Sequence, residues 1–214
     1  MLNNSINNHA FITNNKKYIF IIFSILLAAC SATQKDTTQS NKINTINPEA
    51  NAVFTQAISA MKSHEYKKAK ILLEKAIILQ PDFSRAFINL SIIQANDKNY
   101  KEAEKSLITA LKSSPDDIHA LNQLGFVYRE LGEFTKALAS YKKAINTNPD
   151  YAIAHYNIGI LYDLYLYDLP QALTHYKKYQ QLTHDTDPKV TNWIVDIERR
   201  HKKSLAIQKE EDKL

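Results

Sequence analysis

The stretch IHALNQLGFVYRELGEFTKALASYKKAINTNP, Ile118 to Pro149, reads as two antiparallel helices, here called A and B. In helix B, Phe134, Ala137, Leu138, Tyr141, Ala144 and Ile145 recur at the spacing of one helical face. Gly125 and Ala137 are small, as expected where A and B approach closely, and Ala144 is small where a following helix A packs. Pro149 ends helix B, because proline lacks an N–H and restricts the residue before it. The same features recur at a step of 34 residues. Pro81, Pro115 and Pro149 share it, as do Ala69, Ala103 and Ala137, then Ala76, Ala110 and Ala144, then Tyr66, Tyr100 and Phe134. Asp82, Asp116, Asp117 and Asp150 follow the prolines, suited to open the next helix by capping and by charge at its N-terminus. One such pair is too short to be stable alone, so the copies must stack. The expected fold is all-α.

These residues resemble the tetratricopeptide repeat (TPR). Leu124-Gly125, Tyr128, Ala137, Tyr141, Ala144 and Pro149 lie on that family's pattern, with Leu121 in place of its usual tryptophan. The copy at 84–117 has Leu90-Ser91, Ala103, Leu107, Ala110 and Pro115. The copy at 50–83 has Ala57, Ala69, Leu73, Ala76 and Pro81, with Gln56 where an apolar residue is expected. A degenerate copy at 152–187 has Ile158-Gly159 and Tyr162, then gains one residue in the turn YLYDLPQA. It carries Tyr179 in place of the alanine and His184 in place of the proline. The resemblance implies a right-handed superhelix of stacked antiparallel helix pairs, a TPR solenoid, over residues 49–187 with the third copy at 118–151. Residues 188–205 offer Val190, Trp193, Ile194 and Ile197 at helical spacing and are expected to form a C-terminal capping helix rather than to present Trp193 as a ligand platform, with 206–214 a frayed tail. The basic run Arg199 to Lys203 is expected to be a solvated helix end favoured by the dipole.

The resemblance also implies a concave wall built mostly from the A helices. Carrying its positions over gives Arg85, Ile88, Asn89, Ile92 and Asn96 in the second copy. The third gives His119, Asn122, Gln123, Phe126, Arg129 and Glu130, and the fourth Ile153, Tyr156, Asn157, Ile160 and Asp163. Asn89, Gln123 and Asn157 form one column; either they pair with a peptide backbone, since each amide both donates and accepts, or they simply follow the repeat pattern. Phe126, Tyr156, Ile92 and Ile160 beside Arg85 and Arg129 suit a peptide with an apolar anchor and an acidic group. Arg85 matches the lysine–asparagine–arginine carboxylate clamp of chaperone-tail TPR domains only loosely. Tyr162, Tyr165, Tyr167, Tyr176 and Tyr179 crowd the fourth copy, either as packing under the cap or as a contact surface.

Upstream, Lys16 and Lys17 precede twelve residues, Tyr18 to Ala29, apolar except for Ser24. A membrane-spanning helix needs about 20 apolar residues. A basic pair, a short apolar run and small residues at its end make a secretory signal over residues 1–29. Its last residues, Leu27 to Cys30 (LAAC), resemble the bacterial lipobox and use the only cysteine in the chain. The resemblance implies lipid on Cys30 after removal of the signal. Ser31 follows where an aspartate often retains lipoproteins in the inner membrane, which implies the outer membrane. Residues 30–48 are expected to be the lipidated cysteine and a flexible tether, polar and without helical periodicity.

The chain of 214 residues is 44% hydrophobic and 23% charged, enough for a core in a soluble body. Its net charge is +5, or +3 from Cys30 onward, too mild for a nucleic-acid binder. One cysteine excludes an internal disulfide and any cysteine-rich metal cluster, and three glycines leave no Gly-rich phosphate loop. The seven histidines form no metal-ligand motif, and no catalytic constellation stands out. No cofactor is expected. The function implied is a non-catalytic adaptor, facing the periplasm, that binds a peptide or helix of a partner protein and reaches the membrane through acyl chains on Cys30. An assembly factor for one outer-membrane machine, pilotin-like or barrel-assembly-like, stays open, and a peptidoglycan-linked enzyme fits less well.

Overall fold

The computed structural model describes residues 47–184 and 186–211, and every regular element among them is helical. The expected signal, Cys30 and almost all of the tether lie outside the described residues. The first pair is α1 (Pro48–Lys62) and α2 (Tyr66–Leu79), the second α3 (Ser84–Asn96) and α4 (Tyr100–Ser113), the third α5 (Ile118–Glu130) and α6 (Phe134–Thr147). In the fourth, α7 (Ala152–Leu161) runs into a π-helical turn, Tyr162–Leu166, before α8 (Leu169–Leu182). The last helix, α9 (Pro188–Glu211), extends past the expected boundary at 205.

Each helix packs most on its own partner, then each B helix on the next A helix, with α3 also touching α5 and α5 touching α7. Helices α2, α4 and α6 stop at Leu79, Ser113 and Thr147, two residues before the prolines. Ala144 lies against Ala154 and Leu121, so the next A helix does pack where the small residue makes room.

The aspartates divide. Asp117 caps α5, accepting from the backbone N–H groups of His119 and Ala120 at 2.9 Å each. The equivalent cap positions before α3 and α7 hold Phe83 and Tyr151, which give no side-chain bond. Asp82 and Asp150 therefore sit one residue too early to cap. Asp150 instead pairs with Lys178, and Asp116 with Lys143.

Every A–B turn closes on a left-handed residue: His64, Lys98, Gly132 and Tyr167. Only Gly132 is free of the roughly 1–2 kcal/mol that this conformation costs a side chain. Glu65, Asn99 and Glu133 then donate their backbone N–H groups to Ala60, Gln94 and Tyr128, five residues back. In the fourth copy Asp168 N–H reaches Tyr162 O, six residues back. The extra residue is thus absorbed before the turn, as a widened π turn, rather than within the turn as the sequence suggested.

The interior is set by one recurring fit. A Cβ placed on Gly125 would lie 2.5 Å from Cε1 of Tyr141, and one on Gly159 2.5 Å from Cδ1 of Tyr176. Both rings are almost fully buried. At the equivalent positions the first copy has Ala57 with Leu73 and the second Ser91 with Leu107, all of them buried. Larger A-helix residues thus go with the smaller B-helix residue. Gly125→Ala should lower the unfolding free energy by about 1–3 kcal/mol by overpacking, although alanine is the better helix former by about 1 kcal/mol. Adding Tyr141→Leu should recover part of the loss, because that pair already occurs as Ala57 and Leu73. A urea titration in which Gly125→Ala unfolds at or above the wild-type midpoint would contradict the fit.

Candidate functional site

The A helices form one wall, and the side chains on it follow the 34-residue step. Ile58, Ile92, Phe126 and Ile160 make a half-buried apolar column across four successive helices. Beside it run Thr55, Asn89, Gln123 and Asn157.

The residues expected on this wall differ in what they offer. Arg85 is exposed and its guanidinium lies 4.8 Å over the Phe54 ring. Asn96 and Ile153 are exposed, and Gln123 is half-buried. His119 is exposed and edge-on to Tyr151, with Nδ1 3.2 Å from its hydroxyl. Asn89 donates to Arg85 O in its own helix. Arg129 is only 11% exposed; it binds Glu130 and lies 5.1 Å from the Phe126 ring centre. Its Nη1 is buried and makes no hydrogen bond among the described residues.

Ile88, Asn122 and Asp163 are buried and present little to a ligand. Asn122 Oδ1 accepts from Asn157 Nδ2 at 2.9 Å, so these amides tie the third copy to the fourth. Asp163 accepts from Arg200 on α9 at 2.6 Å, and Asp196 holds the same guanidinium at 2.9 Å. The basic run is therefore anchored at Arg200 rather than wholly solvated. A carboxylate buried without that partner would cost about 1–3 kcal/mol, more for a full charge.

The sequence reading missed that α9 continues the wall. Val190, Ile194 and Ile197 are buried at the spacing of Ala120, Leu124 and Val127, and of Ala154, Ile158 and Leu161. That spacing was the available signal. Trp193, Asp196 and Arg200 consequently join Ile160, Asp163, Leu164 and Tyr176 around a depression of about 480 Å³ at the C-terminal end of the groove. Trp193 stacks on Tyr156 at 6.0 Å between ring centres, and Tyr179 contacts the same ring at 5.1 Å. Of the crowded tyrosines, Tyr162 and Tyr176 are core, Tyr179 is half-buried, and Tyr165 and Tyr167 are exposed.

A second cavity, about 580 Å³, lies between the third and fourth copies and is lined by Ile145, Pro149, His155, His175 and Lys178 among others. His155 Nε2 bonds Pro149 O at 3.0 Å, and its Nδ1 lies 3.0 Å from His175 Nδ1. The Nε2–H therefore donates to the carbonyl, leaving Nδ1 of His155 to accept from His175. No group of three or more metal-ligating side chains occurs among the described residues.

The family comparisons agree with this geometry. A family model described as "Tetratricopeptide repeat" matches residues 54–118, and one described as "TPR repeat" matches 127–163. The units are tetratricopeptide repeats. The second match stops inside the π turn, where the extra residue breaks the register. Pseudomonas aeruginosa pilF is similar in fold at 19% identity, over 76% of this chain and 73% of that one, with a TM-score of 0.66. The Thermus thermophilus TPR protein TTC0263 is 21% identical over 69% and 80%, with a TM-score of 0.59. MamA from Desulfovibrio magneticus is 22% identical over 64% and 77%, with a TM-score of 0.57. These likenesses establish the TPR solenoid and nothing of partners. No curated protein matches the chain in sequence.

Burial lowers the pKa of both histidines, that of His175 to about 4, with His155 and Lys142 adding repulsion. For His155, Lys178 opposes protonation and the Pro149 carbonyl and Asp150 favour it. Both rings must stay neutral in the fold, while the unfolded chain takes up protons near pH 6.5. Their contribution is thus present above about pH 6.5 and lost as the pH falls toward 4. The melting temperature of the wild type should fall across that window more steeply than that of His175→Gln. Parallel pH profiles for the two would contradict this.

Proposed function

We propose that this chain is a non-catalytic scaffold that holds a helix or peptide of a partner protein in its concave groove. The apolar column Ile58, Ile92, Phe126 and Ile160 carries the reading, because it repeats once per A helix and is flanked by residues that hydrogen-bond. Packed helices lie roughly 8–10 Å apart. A bound helix advances about 10.5 Å in seven residues, and an extended segment covers about 10 Å in three. A ligand with an apolar residue at either interval would fill successive sites. A photo-crosslinking residue at Phe126 or at Ile160 should capture the same partner, and one at Lys142 on the outer wall should not. Equal capture from Lys142 would remove the groove from the proposal.

The anchor in this proposal is lipid on Cys30, with the groove facing the periplasm and the acyl chains in the outer membrane. LAAC with its cysteine, and Ser31 after it, support this. A single acyl chain binds a membrane only marginally, and two or more hold it stably. Mass spectrometry of the protein from membranes should find a chain beginning at acylated Cys30. An intact chain beginning at Met1 would overturn the anchor and leave the groove reading untouched.

A further inference from the structure

The outer wall of the stack carries a charge that the net figure conceals. It is formed by α2, α4, α6 and α8, and lysines outnumber acids on each. Farther along the wall these lysines are mostly engaged: Lys101 with Glu104 and Glu133, Lys136 with Glu133, Lys143 with Asp116, Lys178 with Asp150. Helix α2 differs. Only Lys68 of its four lysines is paired, with Glu65; Lys67, Lys70 and Lys75 make no ion pair among the described residues, and Glu74 is the only acid on the helix.

The same helix exposes two large apolar side chains, Ile71 at 67% and Ile78 at 79%. Seven residues apart, they lie on one face two turns from each other. Lys67 and Lys75 flank Ile71 one turn to either side. Soluble surfaces scatter single apolar residues, but a basic helix face with paired isoleucines is the pattern of a helix lying at a lipid–water boundary. Lysine is a compact charge that suits phosphate, and the isoleucines add nothing to binding a soluble polyanion.

The course of the chain points the same way. Asn47, the first described residue, donates its backbone N–H to Gln80 Oε1 at 3.0 Å and its side-chain amide to Leu79 O at 3.3 Å. The chain therefore enters the described residues at the C-terminal end of α2, beside Leu79 and Gln80. Between Cys30 and Asn47 it can extend at most about 60 Å.

We infer that the outer face of α2 docks on an anionic phospholipid surface, with Lys67, Lys70 and Lys75 on headgroup phosphates and Ile71 and Ile78 in the headgroup layer. This is a second membrane contact, independent of the groove, and it rests on the anchor reading only for which bilayer is near. Each lysine near an anionic surface is worth on the order of fivefold in partitioning, and the attraction is screened by salt.

The test uses the full chain, so that the leader is constant. Binding is measured to vesicles of phosphatidylcholine alone and of equal parts phosphatidylcholine and phosphatidylglycerol, at low and high salt. Wild type and Lys67→Gln/Lys70→Gln/Lys75→Gln should bind neutral vesicles alike, and Ile71→Ser/Ile78→Ser no more tightly than either. Wild type should gain at least tenfold on anionic vesicles at low salt. The lysine variant should lose most of that gain, and the isoleucine variant should keep a weaker, fully salt-sensitive part. Circular dichroism checks that all three remain folded. Equal gains for wild type and the lysine variant would overturn the inference. So would a wild type that shows no vesicle gain but binds polyphosphate, or one that shows none but forms dimers that Ile71→Ser/Ile78→Ser abolishes. Failure of the anchor reading would show instead in the N-terminal mass, and failure of the groove reading in the crosslinking pattern.

Discussion

The stack depends on how closely an A helix can approach its own B helix. That distance is fixed where Gly125 meets Tyr141 and where Gly159 meets Tyr176, with no space for another carbon. A tyrosine ring fills what two smaller side chains fill in the first two copies. Leu73 and Leu107 accept Ala57 and Ser91; the two tyrosines demand glycine. The fit is kept in volume rather than in residue type, as close-packed interiors require. It also orients each helix pair, so every residue on the wall inherits its direction from a contact on the opposite face of its helix. An apolar column stepping by 34 residues is a consequence of that inheritance.

Charge is sorted by the same geometry. Aspartate and glutamate gather in the turns, where Asp117 caps a helix and Asp116, Asp150 and Glu133 hold lysines of neighbouring B helices. Those pairs are exposed, and exposed pairs contribute little stability, typically below about 1 kcal/mol each. Their larger effect is to neutralise the outer wall over the later repeats and leave it basic over the first. The concave wall goes the other way: Arg129 is matched by Glu130, and Arg200 by Asp163 and Asp196. Under the proposed function, a groove neutral over most of its length would select a ligand by shape and apolar spacing more than by charge, with Arg85 the exposed exception.

Much of this was legible in the sequence. Four columns at one period gave the helix pairs, their boundaries and the small positions, because burial at a tight contact limits the choice of residue. The wall was legible only as a set of positions. Nothing local in the sequence says that Asn122 turns toward Asn157 or that Asp163 is covered by Arg200, since both depend on residues 35 and 37 positions away. The π turn was half-legible. An extra residue was countable, but whether a helix or a turn absorbs it depends on where the left-handed closure falls: Tyr167 precedes α8 as His64, Lys98 and Gly132 precede their B helices, and the extra residue lies in the π turn before it. Helix α9 was legible as a cap from the helical spacing of Val190, Ile194 and Ile197, but that Trp193 and Arg200 reach the groove depends on contacts with Tyr156 and Asp163, far away in the chain.

That helix shows how the fit that builds the stack also limits it. On the side facing α8, α9 repeats the buried pattern of an A helix, so the fourth pair is covered as it would be by a fifth. On the side where a B helix would lie, the position equivalent to Gly125 and Gly159 is Val195, 62% exposed. A β-branched side chain there leaves no place for the ring or leucine of another B helix at the approach used elsewhere. Thr191 and Glu198 occupy the adjoining positions, and Glu198 reaches back to Lys177 on α8. The same helix that closes the core therefore refuses a further helix pair, and its remaining face, with Trp193 and Arg200, is left to shape the end of the groove.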